Sequence, residues 1–180
     1  MARARARTRP PPLRARALLG VLERHGVKYV VIGGIATRIW GSPRNTDDLD
    51  VCADRTRANK KRLSAALTEL DARFRPLGME QGFAPPGGWD ERSFDSMLNV
   101  AVTTHLGWMD VWFIPDGTDG YPDLAQRARL TDLGEGLVVW VADLGDIIRS
   151  KTAAGRNKDL AALDHLYELQ RVRGDDDAQP

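Results

Sequence analysis

Acidic and apolar residues alternate in two short segments of this sequence. In the first, Asp48 and Asp50 flank Leu49; in the second, Asp110 lies inside an apolar run. Because alternate side chains of a strand share a face, the first two carboxylates are expected on one face and Leu49 in the core. An ionised carboxylate inside an apolar strand is costly unless it is paired or bound to a metal. If the two strands are neighbours, the three acids form a cluster of hard oxygen ligands suited to Mg²⁺ or Mn²⁺.

A glycine pair follows the apolar strand predicted at residues 29–32. Gly33 and Gly34 stand where that strand passes into a helix. Backbone amides at a helix start bind phosphate, and glycine permits close approach. A tight strand-to-helix turn is the alternative explanation for the pair.

The acidic residues of the first segment also have an alternative explanation without a metal. In it, Asp48 is a turn residue and Asp50 is a solvated residue of an edge strand.

The pattern of apolar residues predicts an α+β protein in which a small mixed β-sheet has helices packed against it. The length of 180 residues fits a single domain, expected over 13–172. An Arg/Pro-rich tail at 1–12 and an acidic tail at 173–180 are expected to be disordered. The segment 76–93, rich in Gly and Pro, is expected to be a covering loop. Strands are predicted at 29–32, 48–52, 98–104, 107–114 and 137–141, and helices at 13–26, 35–40, 57–74, 144–154 and 157–171.

The composition excludes several classes of protein. Lys and Arg (26) nearly balance Asp and Glu (25), so the net charge indicates no polyanionic partner. The single cysteine, Cys52, excludes an internal disulfide and fits a reducing compartment. No apolar run is long enough to span a bilayer, and no secretory signal is evident. We therefore expect a cytoplasmic protein with no membrane partner. The Arg-rich start could touch RNA phosphates, although a plain tail is the alternative.

Several segments together resemble the polymerase-beta-like nucleotidyltransferases. The resemblance covers roughly residues 27–170: the run VIGGIA at 31–36, the acidic strand DLDV at 48–51 and the later strand MDV at 109–111 match the family's signature. Residues 40–50 are especially similar to small prokaryotic members, which include abortive-infection-type toxins and minimal nucleotidyltransferases. Gly34 departs from the many members that carry serine there, although the Gly-Gly form also occurs in the family.

The resemblance implies a nucleotidyltransferase fold and transfer of a nucleoside monophosphate from an NTP to an acceptor hydroxyl, with release of pyrophosphate. Asp48, Asp50 and Asp110 would be the catalytic metal ligands, for Mg²⁺ or Mn²⁺, and Gly33 and Gly34 would cradle phosphates. The resemblance leans toward a toxin of a toxin–antitoxin pair that modifies RNA, tRNA in particular, with a cognate antitoxin as a further partner. A small-molecule adenylyltransferase of the antibiotic-modifying type and a non-catalytic nucleotide- or partner-binding module are the alternatives.

Four basic residues are candidates for nucleotide contact. Lys151 falls on an apolar helical stripe, where either an ammonium held beside the triphosphate or a snorkelling side chain is expected. Arg44 precedes the acidic pair and is expected either to meet phosphate or to fix its loop through a salt bridge. Arg156 and Lys158 lie in the turn before the last helix, where a solvated turn is the alternative. Packing is expected to bury Trp112 and Trp140 and the Cys52 thiol, and His165 is expected on a helix surface.

Overall fold

The computed structural model of the protein describes residues 11–176, with side chains through residue 173. Within that range, a seven-stranded mixed sheet is combined with six α-helices and one 3₁₀ turn at Glu91–Phe94. The strands are β1 (Tyr29–Ile32), β2 (Asp48–Ala53), β3 (Arg73–Phe74), β4 (Asn99–Thr104), β5 (Gly107–Trp112), β6 (Arg129–Asp132) and β7 (Val138–Val141). The helices are α1 (Ala15–Arg24), α2 (Gly33–Ile39), α3 (Arg57–Glu69), α4 (Tyr121–Ala125), α5 (Leu144–Ala154) and α6 (Asn157–Asp176).

The sheet order is β3-β4-β5-β2-β1-β7-β6, so the two acidic strands, β2 and β5, are neighbours near the centre. They run parallel, with Asp50 beside Asp110 and Leu49 beside Met109. Because residues that are side by side in a ladder point to the same face, the carboxylates share one face. Leu49 and Met109 point to the other face and are fully buried. This arrangement confirms the predicted α+β fold with a small mixed sheet.

Local sequence signals set the ends of the helices that surround the sheet. The side chain of Thr56 accepts a hydrogen bond from the Asn59 amide at the start of α3. The carboxylate of Asp143 does the same for the Gly145 amide at the start of α5. That helix ends at Ala154, and Gly155 caps it in a left-handed conformation (φ +60°) that favours glycine. The chain then turns back into α6, which packs against α5.

Several elements differ from those predicted. Helix α2 begins at Gly33 rather than at residue 35, and α3 ends at Glu69 rather than at 74. The chain reverses after α3, where Asp71 takes a positive φ, and Phe74 pairs in β3. Three elements were missed: β3 has two residues, α4 has five, and β6 is an edge strand whose Leu130 is exposed. None of them has enough apolar periodicity to be recognised.

The tails expected at 1–12 and 173–180 fall partly on residues 1–10 and 177–180, which lie outside the described residues. Helix α6 continues to Asp176, beyond its predicted end at 171. Among the described residues, no helix combines the length and the apolar character needed to cross a membrane.

The segment 76–93 packs over the β3 edge of the sheet through aromatic rings. The Trp89 ring lies 4.5 Å from the Phe74 ring and 5.7 Å from the Phe94 ring, measured between centroids. The indole nitrogen of Trp89 donates a hydrogen bond to the Ala72 carbonyl at 2.8 Å. The segment therefore covers this edge and positions the chain around β3.

Candidate active site

The structure brings the three predicted carboxylates together on one face of the sheet. Asp48 and Asp50 are two residues apart in β2, and Asp110 lies beside Asp50 in β5. One oxygen from each of the three lies within 4.8 Å of the others, and all three side chains are partly buried. This spacing allows three oxygen atoms to contact one or two small cations.

Each carboxylate is held by one hydrogen-bond donor from a different part of the chain. The Thr46 hydroxyl donates to Asp48 Oδ1 at 2.8 Å, and the Trp112 indole donates to Asp50 Oδ1 at 3.2 Å. The Arg75 guanidinium donates to Oδ1 of the third, Asp110, at 2.7 Å.

In the described part of the chain, these bonds all end on Oδ1, and Oδ2 of each carboxylate accepts none. The donors therefore fix the orientation of the three groups and leave one oxygen of each for a ligand.

The electrostatic environment of the cluster favours a bound cation. Burial, followed by the charges of Asp48 and Asp110, raises the pKa of Asp50 to about 7. Burial also raises the pKa of Asp110, against the opposing effect of Arg75. Like charges this close oppose one another's ionisation, and a divalent cation relieves that repulsion. With their oxygen-only donor set, the three residues can hold a metal ion and fit Mg²⁺ or Mn²⁺.

The glycine pair is required by the geometry of the same site. Gly33 has a φ of +62°, and a Cβ there would overlap the carboxylate of Asp50, lying 2.6 Å from its Cγ. A Cβ on Gly34 would lie 2.6 Å from both Cβ and Oγ1 of Thr46. The alternative of a tight strand-to-helix turn is therefore part of the explanation. Both glycines also line the cavity in front of the acids.

A single cavity of about 290 Å³ contains all of the predicted site residues in its lining. The acids lie on the sheet, the glycines at the start of α2, and the basic residues on α5, α6 and the loop before β2. The residues in question are Gly33, Gly34, Arg44, Asp48, Asp50, Asp110, Lys151, Arg156 and Lys158. The cavity therefore combines a carboxylate cluster with an arc of positive charge. That combination suits a metal-bound polyphosphate.

The Lys151 ammonium lies beside a buried carboxylate rather than in bulk water. Its Nζ donates to Asp159 Oδ1 at 2.9 Å, and Arg156 Nε donates to Asp159 Oδ2 at 2.6 Å. The Asp159 side chain is only 3% exposed. Burial pushes the pKa of Asp159 upward, but the two hydrogen bonds outweigh it and hold the pKa below its ordinary value. The sequence did not predict this three-residue network, which ties both cations to the first turn of α6.

The other two candidate cations differ in their contacts. The Arg44 guanidinium donates to the Ala161 carbonyl at 2.9 Å, so it ties its loop to α6 through a hydrogen bond rather than the salt bridge considered from the sequence. Lys158 is exposed and makes no hydrogen bond or ion pair with the described residues. Its charge nevertheless opposes the rise in the pKa of both Asp50 and Asp110, as the smallest of the contributions named for each.

Sequence reasoning missed several residues of the site. Arg75 reaches across β4 to the Asp110 carboxylate, and the Arg75 guanidinium lies 4.2 Å from the centre of the Trp108 ring. Trp112, expected to serve packing, hydrogen-bonds Asp50. His165, expected on a helix surface, lines the cavity, and its Nε2 is buried with no partner in the described part of the chain. Outside the site, Trp140 was wrongly predicted to be buried and is 47% exposed.

The chain is similar to known proteins in its fold rather than in its sequence. No protein-family model and no characterised protein sequence matches the chain. The solved structures that share its fold include the following two. A candidate nucleotidyltransferase from Thermotoga maritima is 16% identical with a TM-score of 0.53, over 88% of this chain and 96% of that one. An antigenic nucleotidyltransferase-like protein from Paracoccidioides brasiliensis is 18% identical with a TM-score of 0.52, over 89% and 79%.

Likeness at this level of identity bears on architecture alone. The matched region spans most of both chains in each case. The chain therefore has a nucleotidyltransferase-type fold, with an acidic triad that can bind metal at the centre of its sheet.

Proposed function

We propose that this protein is a metal-dependent nucleotidyltransferase that transfers a nucleoside monophosphate from an NTP to an acceptor hydroxyl and releases pyrophosphate. The observation that carries the proposal is the clustering of three carboxylates within 4.8 Å of one another, in a cavity that is also lined by glycine amides and cations. The nucleotidyltransferase-type fold of the chain supports the same reaction class.

Asp48 and Asp50 would hold the metal ions, and Asp110 would complete the site. Bound Mg²⁺ or Mn²⁺ would polarise the phosphate and neutralise charge on the leaving pyrophosphate. The chain's own contribution is to hold each carboxylate in place through one donor, as Thr46 and Trp112 do for the first two. Such positioning supplies much of the rate enhancement in phosphoryl-type reactions.

The nucleotide phosphates would lie between the glycine turn and the cations of α5 and α6. Gly33 and Gly34 open α2 and line the cavity, and their amides would favour a negatively charged group there. Lys158, which has no ion-pair partner among the described residues, is the cation most readily given to phosphate. Lys151 and Arg156 would contribute from their shared position on Asp159.

Asp110 would orient or deprotonate the acceptor hydroxyl. Arg75 occupies one of its oxygens, which leaves Oδ2 for the proton or for a metal. Its position beside the other two carboxylates would bring that oxygen close to the metal-bound phosphate. The acceptor hydroxyl would therefore lie near Asp110, on the β5 side of the cavity.

We propose RNA, and tRNA in particular, as the acceptor, in a toxin controlled by a cognate antitoxin. Support comes from the similarity of residues 40–50 to small prokaryotic nucleotidyltransferases of this kind. A small-molecule hydroxyl, as in antibiotic adenylylation, is the competing acceptor. A non-catalytic module that binds nucleotide or a partner through the same cavity is the competing class.

A labelling experiment separates these functions. The purified protein is incubated with each α-labelled NTP, Mg²⁺ and total RNA, or with a panel of hydroxylated antibiotics, with and without chelator. Label on a discrete RNA band that requires Mg²⁺ supports RNA modification, and label on a small molecule supports the second acceptor class. Metal-dependent NTP binding without any labelled product would overturn the transferase function in favour of a binding module.

A further inference from the structure

We propose that Thr46 is a positioning residue of the metal site: its side chain is wedged against Gly34, and its hydroxyl holds Asp48 in the orientation that faces the other two carboxylates. The proposal rests on the proposed metal-binding function of the cluster. It concerns a residue outside the acidic triad and the basic arc.

The first support is the contact with Asp48. The Thr46 hydroxyl donates to Asp48 Oδ1 at 2.8 Å and also lies 3.3 Å from the Asp48 carbonyl oxygen. Asp48 is the first residue of β2 and the first that pairs with β5. The strand therefore continues on only one side of it. A donor immediately before the strand therefore fixes a carboxylate that the sheet holds less firmly than Asp50.

The second support is the absence of a side chain at position 34. A Cβ on Gly34 would lie 2.6 Å from Thr46 Cβ and Oγ1, a separation that real Cβ atoms do not show. Gly34 does not have a positive φ, so its backbone conformation alone does not require glycine. The missing side chain instead makes room for Thr46.

The two glycines then have parallel roles on either side of the metal site. Gly33 makes room for Asp50 directly, and Gly34 makes room for Thr46, which in turn holds Asp48. Thr46 also lines the cavity with these residues. Partners that orient a metal ligand affect metal affinity by about 10- to 100-fold when they are removed.

The test is the affinity for Mn²⁺ in the absence of nucleotide, followed by electron paramagnetic resonance of the free ion. Thr46→Val keeps the shape of the side chain and removes the hydroxyl, so its affinity should fall by about tenfold or more. Thr46→Ser keeps the hydroxyl and should stay within about threefold of the parent. Gly34→Ala displaces Thr46 without straining the backbone and should resemble the valine variant.

Thr68→Val is the matched control. The Thr68 hydroxyl donates only to the Ser64 carbonyl within α3, so its loss should leave Mn²⁺ affinity unchanged. Thermal melting of every variant shows that it is folded, and Thr46→Ala provides a second hydroxyl deletion if valine disturbs the loop.

Parent-like Mn²⁺ affinity in both Thr46→Val and Thr46→Ala would overturn the proposal, as would failure of serine to retain affinity. A parent that binds Mn²⁺ but transfers no nucleotide would refute the proposed reaction and leave the positioning role intact. A parent that binds no Mn²⁺ at this cluster would refute both.

Discussion

Gly33 and Asp50 are packed so closely that no other residue fits at position 33. A Cβ there would overlap the Asp50 carboxylate, and the φ of +62° already disfavours any L side chain. The first residue of α2 is therefore in direct contact with the Asp50 carboxylate on β2. The sequence indicates Gly33 as a phosphate-binding residue, and its lack of a side chain also makes room for the Asp50 carboxylate at the cavity.

The Gly33→Ala variant should lose both stability and metal affinity. The positive φ alone should cost about 1–2 kcal/mol, and displacement of Asp50 should add to this and lower Mn²⁺ affinity at least about tenfold. Gly26→Ala is a matched control because Gly26 has the same φ of +62° with nothing within 4 Å of its Cβ position. Urea unfolding and Mn²⁺ titration measure the two effects. Equal losses in both variants would show that the close approach to Asp50 is unimportant.

The Asp50→Asn variant should be at least as stable as the parent in the presence of a chelator at about pH 8, yet inactive. The folded-state pKa of Asp50 is raised to about 7, so the folded parent is favoured while Asp50 is protonated. The parent therefore loses this stability as the pH rises through about 7. Asparagine does not ionise, so the difference in free energy of unfolding between Asp50→Asn and the parent should grow from about pH 5 to about pH 8. Mg²⁺ should raise the melting temperature of the parent only. A parent-like pH dependence in the variant would contradict this account.

Removal of Arg75 should destabilise the protein through Asp110. Arg75→Met leaves a mostly buried carboxylate without its compensating charge, at a cost of about 1–3 kcal/mol near pH 8. The cost should be smaller in acid, because burial raises the pKa of Asp110 and a protonated carboxyl needs no compensating charge. Urea unfolding measures it, with Arg73→Met as the control because Arg73 is an exposed arginine only two residues earlier, in β3. An equal cost in the Asp110→Asn background would show that the effect does not pass through the ion pair.

Lys151→Met should weaken both NTP binding and folding. Loss of one charge-assisted contact to phosphate should raise the Kd for NTP at least about tenfold. Its partner Asp159 is buried, so a stability loss of about 1–3 kcal/mol is also expected. Combining Lys151→Met with Asp159→Asn should restore most of the stability without restoring affinity for NTP. Calorimetry that shows near-parent affinity in the methionine variant would remove Lys151 from the nucleotide site.

Asp159 should contribute to stability at neutral pH and lose that contribution in acid. Because its folded-state pKa is lowered below the ordinary value of 3.8, its contribution is present above that value and is lost as the pH falls through the folded-state pKa. Urea unfolding from about pH 6 to about pH 3 should therefore be less pH-dependent in Asp159→Asn than in the parent. Asp164→Asn, an exposed position on the same helix, should behave as the parent does. Identical acid profiles for all three proteins would contradict the ion-pair network.

The sequence was sufficient for the sheet core and the acidic cluster because both depend on alternation. Leu49 and Asp50 had to face opposite ways in any strand, and one further assumption, adjacency of the two acidic strands, brought Asp110 to the cluster. Local caps were equally readable: Asp143 starts α5 as its position predicted.

The contacts that hold the site could not be read in the same way. Arg75 follows a two-residue strand whose pairing with β4 leaves no periodic signal, and the Lys151–Asp159 pair depends on the angle at which the chain turns between α5 and α6. Both arise from long-range packing, which a pattern of residues within one segment does not predict.

The most direct test of the central claim is to locate Mn²⁺ by its anomalous scattering in crystals of the protein soaked with Mn²⁺ and a non-hydrolysable NTP. The account predicts Mn²⁺ bound by oxygens of Asp48, Asp50 and Asp110, with the phosphates of the nucleotide between that metal and the Gly33–Gly34 turn. Nucleotide bound in the cavity with no metal at these carboxylates, or metal bound only elsewhere, would contradict it.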